Sequence, residues 1–187
     1  MLRYAIPGTS SNRGWASRLL NGWSINVLNA IQTGTPFTVF TSVPFNLASY
    51  QQFAGGGGPY TGGDFNADGN NYDFPDVSTY RYSNSRSAYL SGIFTTGQFA
   101  VPTTLPSEGN EKTNKFRNPG FWNTDASVSK ETKLAESLSL QIRFEFLNVF
   151  NHANLLGVDG NMADGTFGRV TSQTNPRYLQ IGARIIF

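Results

Sequence analysis

The 187-residue chain contains no cysteine, which removes disulfide staples, thiolate nucleophiles and thiolate metal sites together. Charge is scarce as well: Asp, Glu, Lys and Arg make up 14% of the residues, roughly half the share of a soluble globular domain. The 14 Lys and Arg are scattered and leave a formal net charge of +2. No basic run tracks a phosphate backbone, so nucleic acid is not an expected partner. No apolar run approaches the ~20 residues of a membrane helix. The first residues, Leu2-Arg3-Tyr4-Ala5-Ile6-Pro7, lack the basic and apolar regions of a signal peptide. The expectation is a chain that forms the tail of a longer protein.

What is present points to strands. Aromatics reach 14%, with 20 Gly and 8 Tyr, and many aromatics with few charges suit a β-protein facing lipid. Leu138, Leu140, Ile142, Phe144 and Phe146 alternate with Ser139, Gln141, Arg143 and Glu145, a period of two. Leu179, Ile181, Ala183, Ile185 and Phe187 alternate with Tyr178, Gln180, Gly182 and Arg184, interrupted only by Ile186. Less sharply, Trp122, Thr124, Ala126 and Val128 oppose Asn123, Asp125, Ser127 and Ser129, and Trp23, Ile25, Val27 and Ile31 oppose Ser24, Asn26 and Gln32. A short apolar piece from Leu2 to Ile6, closed by Pro7-Gly8, completes five strands, the first truncated.

The connections alternate in length. Those at 7–17 and 133–137 are short, whereas 41–118 and 151–176 are long and rich in Gly, Asn, Ser, Thr and Pro. Outer-membrane barrels show this alternation, with short periplasmic turns and long extracellular loops. The expected fold is therefore all-β. Antiparallel up-and-down strands form part of a transmembrane β-barrel, about five C-terminal strands, with long outer loops at 41–118 and 151–176.

The chain ends Gln180-Ile181-Gly182-Ala183-Arg184-Ile185-Ile186-Phe187. Gln180, Gly182, Ile185 and the terminal Phe187 resemble the C-terminal signal by which outer-membrane proteins are recognised by the barrel assembly machinery. An alternating terminal strand can add to a sheet edge of that machinery. The segment Arg143-Phe144-Glu145-Phe146-Leu147-Asn148-Val149-Phe150-Asn151-His152-Ala153-Asn154 resembles the penultimate strand of TonB-dependent receptors of the Oar-like group, barrels often preceded by a carboxypeptidase-regulatory-like domain. Asn118-Pro119-Gly120-Phe121-Trp122-Asn123-Thr124-Asp125 resembles that group's preceding strand. Gly165-Thr166-Phe167-Gly168-Arg169-Val170-Thr171 resembles its last outer loop, and Asn21-Gly22-Trp23 with Gly34-Thr35-Pro36-Phe37 an earlier strand. The pieces are short, but they span most of the chain in the family's order.

This resemblance implies a barrel of about 22 strands with an N-terminal plug. It also implies solute uptake energised by the TonB complex, a bacterial outer-membrane location, and lipid as a partner. Plug and TonB-contacting segment have no counterpart in this sequence, so that contact is expected through sequence upstream of it.

Asp64, Asn66, Asp68 and Gly69 open like a calcium loop, with oxygen ligands at positions one, three and five and a glycine at six. Position twelve is Pro75 where a bidentate carboxylate is needed, so Asp73 or Asp76 would have to close the site. The competing reading is a loop of Asx turns in which Asp and Asn bond their own backbone. His152, the one histidine, stands in a turn with no catalytic or metal partner, and Gly55–Gly58 lack the strand and helix of a phosphate cradle. No enzyme motif is present, and the chain is not expected to be an enzyme. Asp125, Arg143, Glu145 and Arg184 fall on polar strand faces, where lumenal pairing is the expected role. Trp23, Trp122 and Tyr178 are candidates for interfacial aromatic belts. The rival to the transporter is a soluble or secreted, calcium-stabilised binding or adhesive β-domain, whose apolar strand faces would oppose one another.

Overall fold

In the computed structural model, the structure describes residues 2–8, 14–42, 63–66, 68–95, 97–103 and 107–187. The glycine run Gly55–Gly58 and much of the first long connection lie outside these residues. The chain divides into two compact units, one of residues 1–32, 121–154 and 174–187 and the other of residues 33–120 and 155–173.

The first unit is one antiparallel sheet of β1 (Leu2–Ala5), β2 (Trp23–Gln32), β7 (Phe121–Ala135), β8 (Leu138–Leu147) and β9 (Tyr178–Ile186), in that spatial order. Neighbours in the sheet are neighbours in this unit's chain order, the up-and-down arrangement that the alternating segments predict. Strands of nine, ten and fifteen residues match or exceed the roughly 9–11 residues that cross a bilayer. The sheet is open: β1 and β9 are its two edges. A short helix, α1 (Trp15–Leu20), lies between β1 and β2. Gly22 joins it to β2 at φ 83°, where a Cβ would run into the Glu131 carbonyl. The same close approach carries a hydrogen bond from the Glu131 N–H to the Gly22 carbonyl, 2.8 Å.

Two strand ends differ from their sequence expectation for visible reasons. β7 runs on to Ala135 and turns into β8 through Glu136 and Ser137 alone, with an irregularity in pairing between Lys133 and Ala135. β8 stops at Leu147, although Val149 and Phe150 extend the apolar character, because Asn148 and Asn151 adopt φ of 52° and 53°. Asn is among the few non-glycine residues that visit this region routinely. The Asn148 side chain accepts from the His152 N–H and donates to the carbonyls of His152 and Asn175. Asn154 plays the matching part for β7. Its amide accepts from Trp122 N at 2.9 Å and donates to Trp122 O at 2.8 Å, acting as one further rung of the ladder. Asn154→Ala strands both backbone groups at a buried site and should cost about 2 kcal/mol. The expected result is a lower unfolding temperature of the detergent-solubilised protein with an unchanged strand spectrum.

The second unit gathers two-residue strands and one helix: β3 (Pro36–Phe37) pairs with β6 (Phe116–Arg117), and β4 (Asp76–Val77) with β5 (Phe99–Ala100). Gly34 belongs to the first pair, since a Cβ there would meet the Asn118 carbonyl. Helix α2 (Arg86–Ser91) is capped by Ser85, whose hydroxyl accepts from the Ala88 N–H. The apolar core of the described residues is here: Ala88, Tyr89, Ile93, Leu155 and Val170, with Phe37, Tyr82, Phe94 and Val158 packed against it. Phe94 and Phe116 centre a ring cluster that also takes in Phe99 and Phe167. Among the described residues, no apolar side chain of the five-stranded sheet is buried.

Candidate functional site

Strand register sorts the sheet's side chains into continuous rows. One face carries Leu2–Val27–Ala126–Phe146–Leu179 and Tyr4–Ile25–Val128–Phe144–Ile181, followed by Trp23–Lys130–Ile142–Ala183 and Thr132–Leu140–Ile185. The other carries Arg3–Asn26–Ser127–Glu145–Gln180, Ala5–Ser24–Ser129–Arg143–Gly182 and Glu131–Gln141–Arg184. Leu2, Tyr4, Leu179, Ile181 and Ile185 are each more than half exposed. A soluble domain leaves apolar surface of this extent bare only where something else covers it. The soluble binding domain considered above required opposed apolar faces, and nothing in this sheet supports it.

Part of the polar face is bonded within itself. Ser24 and Ser129 share a hydroxyl–hydroxyl bond of 2.7 Å, Asn26 donates to Ser127, and Arg143 is ion-paired with Glu145. Asp125 accepts from Asn123 and from the Asn148 backbone, so it closes the β8 turn. Arg184 lies in the row with Gln141 and Glu131. The hydroxyl and amide bonds cross between β2 and β7, whereas the Arg143–Glu145 pair lies within β8; polar contacts of this kind suit a water-facing barrel interior.

The aromatic expectations divide. Trp23 and Trp122 both lie on the apolar face, eight residues apart when measured along β7 from 122 to 130. That separation is roughly 26 Å at strand rise, of the order of the ~25 Å apolar band flanked by aromatic girdles. Trp122 stacks on His152 with ring centroids 4.2 Å apart, which gives the histidine a packing role. Tyr178 falls on the polar face, where its hydroxyl bonds Gln180, and so does not join the belt.

Gln180 and Gly182 of the terminal motif pair with Glu145 and Arg143 on the polar face, and Ile185 pairs with Leu140 on the apolar face. Phe187 follows the edge strand almost fully exposed.

The calcium-loop residues come together, but around the backbone. Asp64 accepts from the N–H groups of Asp68 and Gly69, and Asp73 from those of Phe65 and Asn66. Asp68 accepts from the Asn70 N–H and from the Asn66 amide, which also donates to Glu108. Among the described residues no group of three or more His, Cys, Asp or Glu side chains is placed to hold a metal ion. Asp64, Asn66, Asp68 and Asp73, expected to ring a cation, here make the Asx-type bonds of the competing reading, with their carboxylates turned toward nearby amides. Burial raises the Asp73 carboxyl above its ordinary range, against the two backbone bonds that lower it, with Asp68 and Asp64 adding to the rise. Glu108 is raised for the same first reason and then by Asp73 and Asp68.

Three features escaped the sequence reading. Glu111 is 5% exposed, and neither carboxylate oxygen has a hydrogen-bond partner. Burial pushes its pKa up to about 7 against the opposing pull of Lys115. Lys130 stands on the apolar face, signalled only by a cation at an apolar-parity position two residues beyond Val128. The Asn148 and Asn154 clamps had no signal beyond the asparagine richness of the segment.

A sequence profile described as "Outer membrane beta barrel domain" matches residues 2–180. No curated protein and no solved structure matches the chain.

Proposed function

The chain belongs to the outer membrane beta barrel domain family, and from that premise we propose that it is the C-terminal part of a TonB-dependent transporter or receptor of the Oar-like kind. Its place is the bacterial outer membrane, where the bare apolar rows meet lipid and the hydrogen-bonded polar rows face the barrel interior. β1, β7 and β9 end, and β2 and β8 begin, at one end of the sheet, the end of the Glu136–Ser137 turn and Phe187, whereas β2 and β8 end at the other. By the usual orientation the first end is periplasmic and the second extracellular.

The observation that carries the finer reading is where the resembling motifs stand. Gly22 makes the tight joint into β2, and Gly34 and Asn118 meet beside β3 and β6. Asn148 clamps the end of β8 and Asn154 the start of β7. These are positions that the architecture itself demands, and they occur in the order of the Oar-like group. A sheet of five described strands with two free edges needs further strands to close a barrel. The free edge of β9, ending in Phe187, is the surface we assign to the barrel assembly machinery. Coupling to TonB then belongs to a plug elsewhere in the protein. Catalysis has no place in this reading.

The test is a cross-linking blot of intact source cells with an antibody against residues 68–81. The expected band lies in the outer-membrane fraction, several times heavier than the 20.5 kDa of this chain, and shifts upward in cells carrying TonB but not in cells lacking it. An outer-membrane band with no TonB-dependent adduct would overturn transport while leaving the barrel standing.

A further inference from the structure

Lys130 poses a problem of placement. It occupies the apolar face, in the row with Trp23, Ile142 and Ala183, where an ammonium facing hydrocarbon is costly. The side chain resolves this by reaching toward helix α1. Its Nζ donates to the carbonyls of Arg18, 2.7 Å, and Asn21, 2.8 Å, and lies 5.0 Å from the centre of the Trp23 ring. A cation there also complements the negative end of the helix. Trp23, on the same face, donates its indole N–H to Leu19 O at 2.8 Å. Both side chains that grip α1 therefore come from the apolar face, and the helix is tied to that side of the sheet.

The helix itself is Trp15-Ala16-Ser17-Arg18-Leu19-Leu20, with no acidic residue. Trp15 is 77% exposed and Leu19 57%, with Leu20 also more than half exposed. Trp15 and Leu19 are four residues apart and so share a helix face. Large apolar side chains, a tryptophan and a flanking arginine, continuous with a lipid-facing sheet, match a helix lying in the membrane interface.

We propose that α1 is an interfacial anchor whose Trp15, Leu19 and Leu20 seat among the phospholipids of the periplasmic leaflet, with Lys130 and Trp23 fixing its depth. The occupant is lipid because the helix continues a face already committed to lipid, at the end carrying the short connections. The assignment of that end to the periplasm is the orientation used above.

Because the chain has no cysteine, single labelling sites are clean within it. The complete protein, made free of any other cysteine, carries Trp15→Cys or Leu19→Cys with an environment-sensitive fluorophore. It is reconstituted into vesicles of phosphatidylethanolamine and phosphatidylglycerol. The vesicles contain lipids spin-labelled either near the headgroup or deep in the acyl chain. At both sites the emission should be blue-shifted and quenched at least about twice as strongly by the headgroup-proximal label. A label at Ile181→Cys should prefer the deep quencher, and one at Ser107→Cys neither. Water-like emission at positions 15 and 19, with Ile181 still quenched, overturns the anchor alone. Dry but unquenched emission means that protein covers α1 and overturns it equally. Loss of quenching at Ile181 as well overturns the membrane placement from which the anchor follows.

Discussion

Phe144→Arg should remove most of the protein from the outer membrane, whereas Ser127→Arg should weaken folding by no more than about fivefold. Phe144 sits between Val128 and Ile181 in the row Tyr4–Ile25–Val128–Phe144–Ile181, flanked along β8 by the rows of Ile142 and Phe146. A guanidinium there must face hydrocarbon, at a cost of roughly 2–4 kcal/mol toward the centre of the bilayer. At about 1.4 kcal/mol per factor of ten, the folding equilibrium constant falls by at least an order of magnitude. Ser127 belongs to the opposite face, between Asn26 and Glu145, where an added arginine meets a carboxylate and water. It gives up one hydrogen bond from Asn26, a loss of about 1 kcal/mol.

The measurement is the heat-modifiable, folded fraction in isolated outer membranes. Equal loss in the two variants would mean that the faces are not distinguished by lipid and water. Preferential loss with Ser127→Arg would assign the faces the other way round.

The alternation that defines those faces was legible in the sequence, and for a physical reason. A strand with lipid on one side and water on the other must alternate, and β8 and β9 have no core residues to blur the signal. The strand count and the placement of Gln180, Gly182 and Ile185 on their faces followed directly. Strand ends did not follow, because Asn148 and Asn151 end β8 through backbone angles that composition does not announce. The second unit was illegible as structure. Its strands are two residues long, and it is held by side-chain-to-backbone bonds such as Gln98 to the carbonyls of Thr79 and Arg81. Such contacts carry no periodicity.

At the candidate loop, spacing singled out Asp64, Asn66, Asp68 and Asp73, yet it could not distinguish cation ligands from acceptors of backbone N–H groups. The motif and an Asx-closed loop use the same residues for related reasons. Glu111 and Lys130 gave the weakest signal of all. Each is a single charge whose meaning depends on what the fold brings beside it.

Glu111 carries the second large effect, in the stability of the compact unit of 33–120 and 155–173 against pH. Its carboxyl is buried without a hydrogen-bond partner, and its folded pKa rises from 4.5 to about 7. The folded unit therefore holds this proton more tightly than the unfolded chain does. The associated stability is fully present below pH about 4.5 and is lost as pH rises through about 7. The interval corresponds to roughly 3 kcal/mol, or about a hundredfold in the local opening equilibrium. Lys115 opposes the rise without cancelling it, and the Tyr80 hydroxyl is raised by burial first and then by the ionised Glu111. Asp73 and Glu108, both raised, contribute slopes of the same sign.

Hydrogen exchange at the amides of Gly109 and Glu111, which bond the carbonyls of Phe74 and Pro75, reads this opening once intrinsic rates are divided out. In the intact protein the opening constant should grow by one to two orders of magnitude between pH 5 and pH 8. Glu111→Gln, which cannot ionise, should flatten most of that rise and leave the part due to Asp73 and Glu108. A rise that persists at full size in the Gln variant would place the responsible proton elsewhere. Opening that falls with pH in the native protein would reverse the sign and exclude a buried neutral carboxyl at this position.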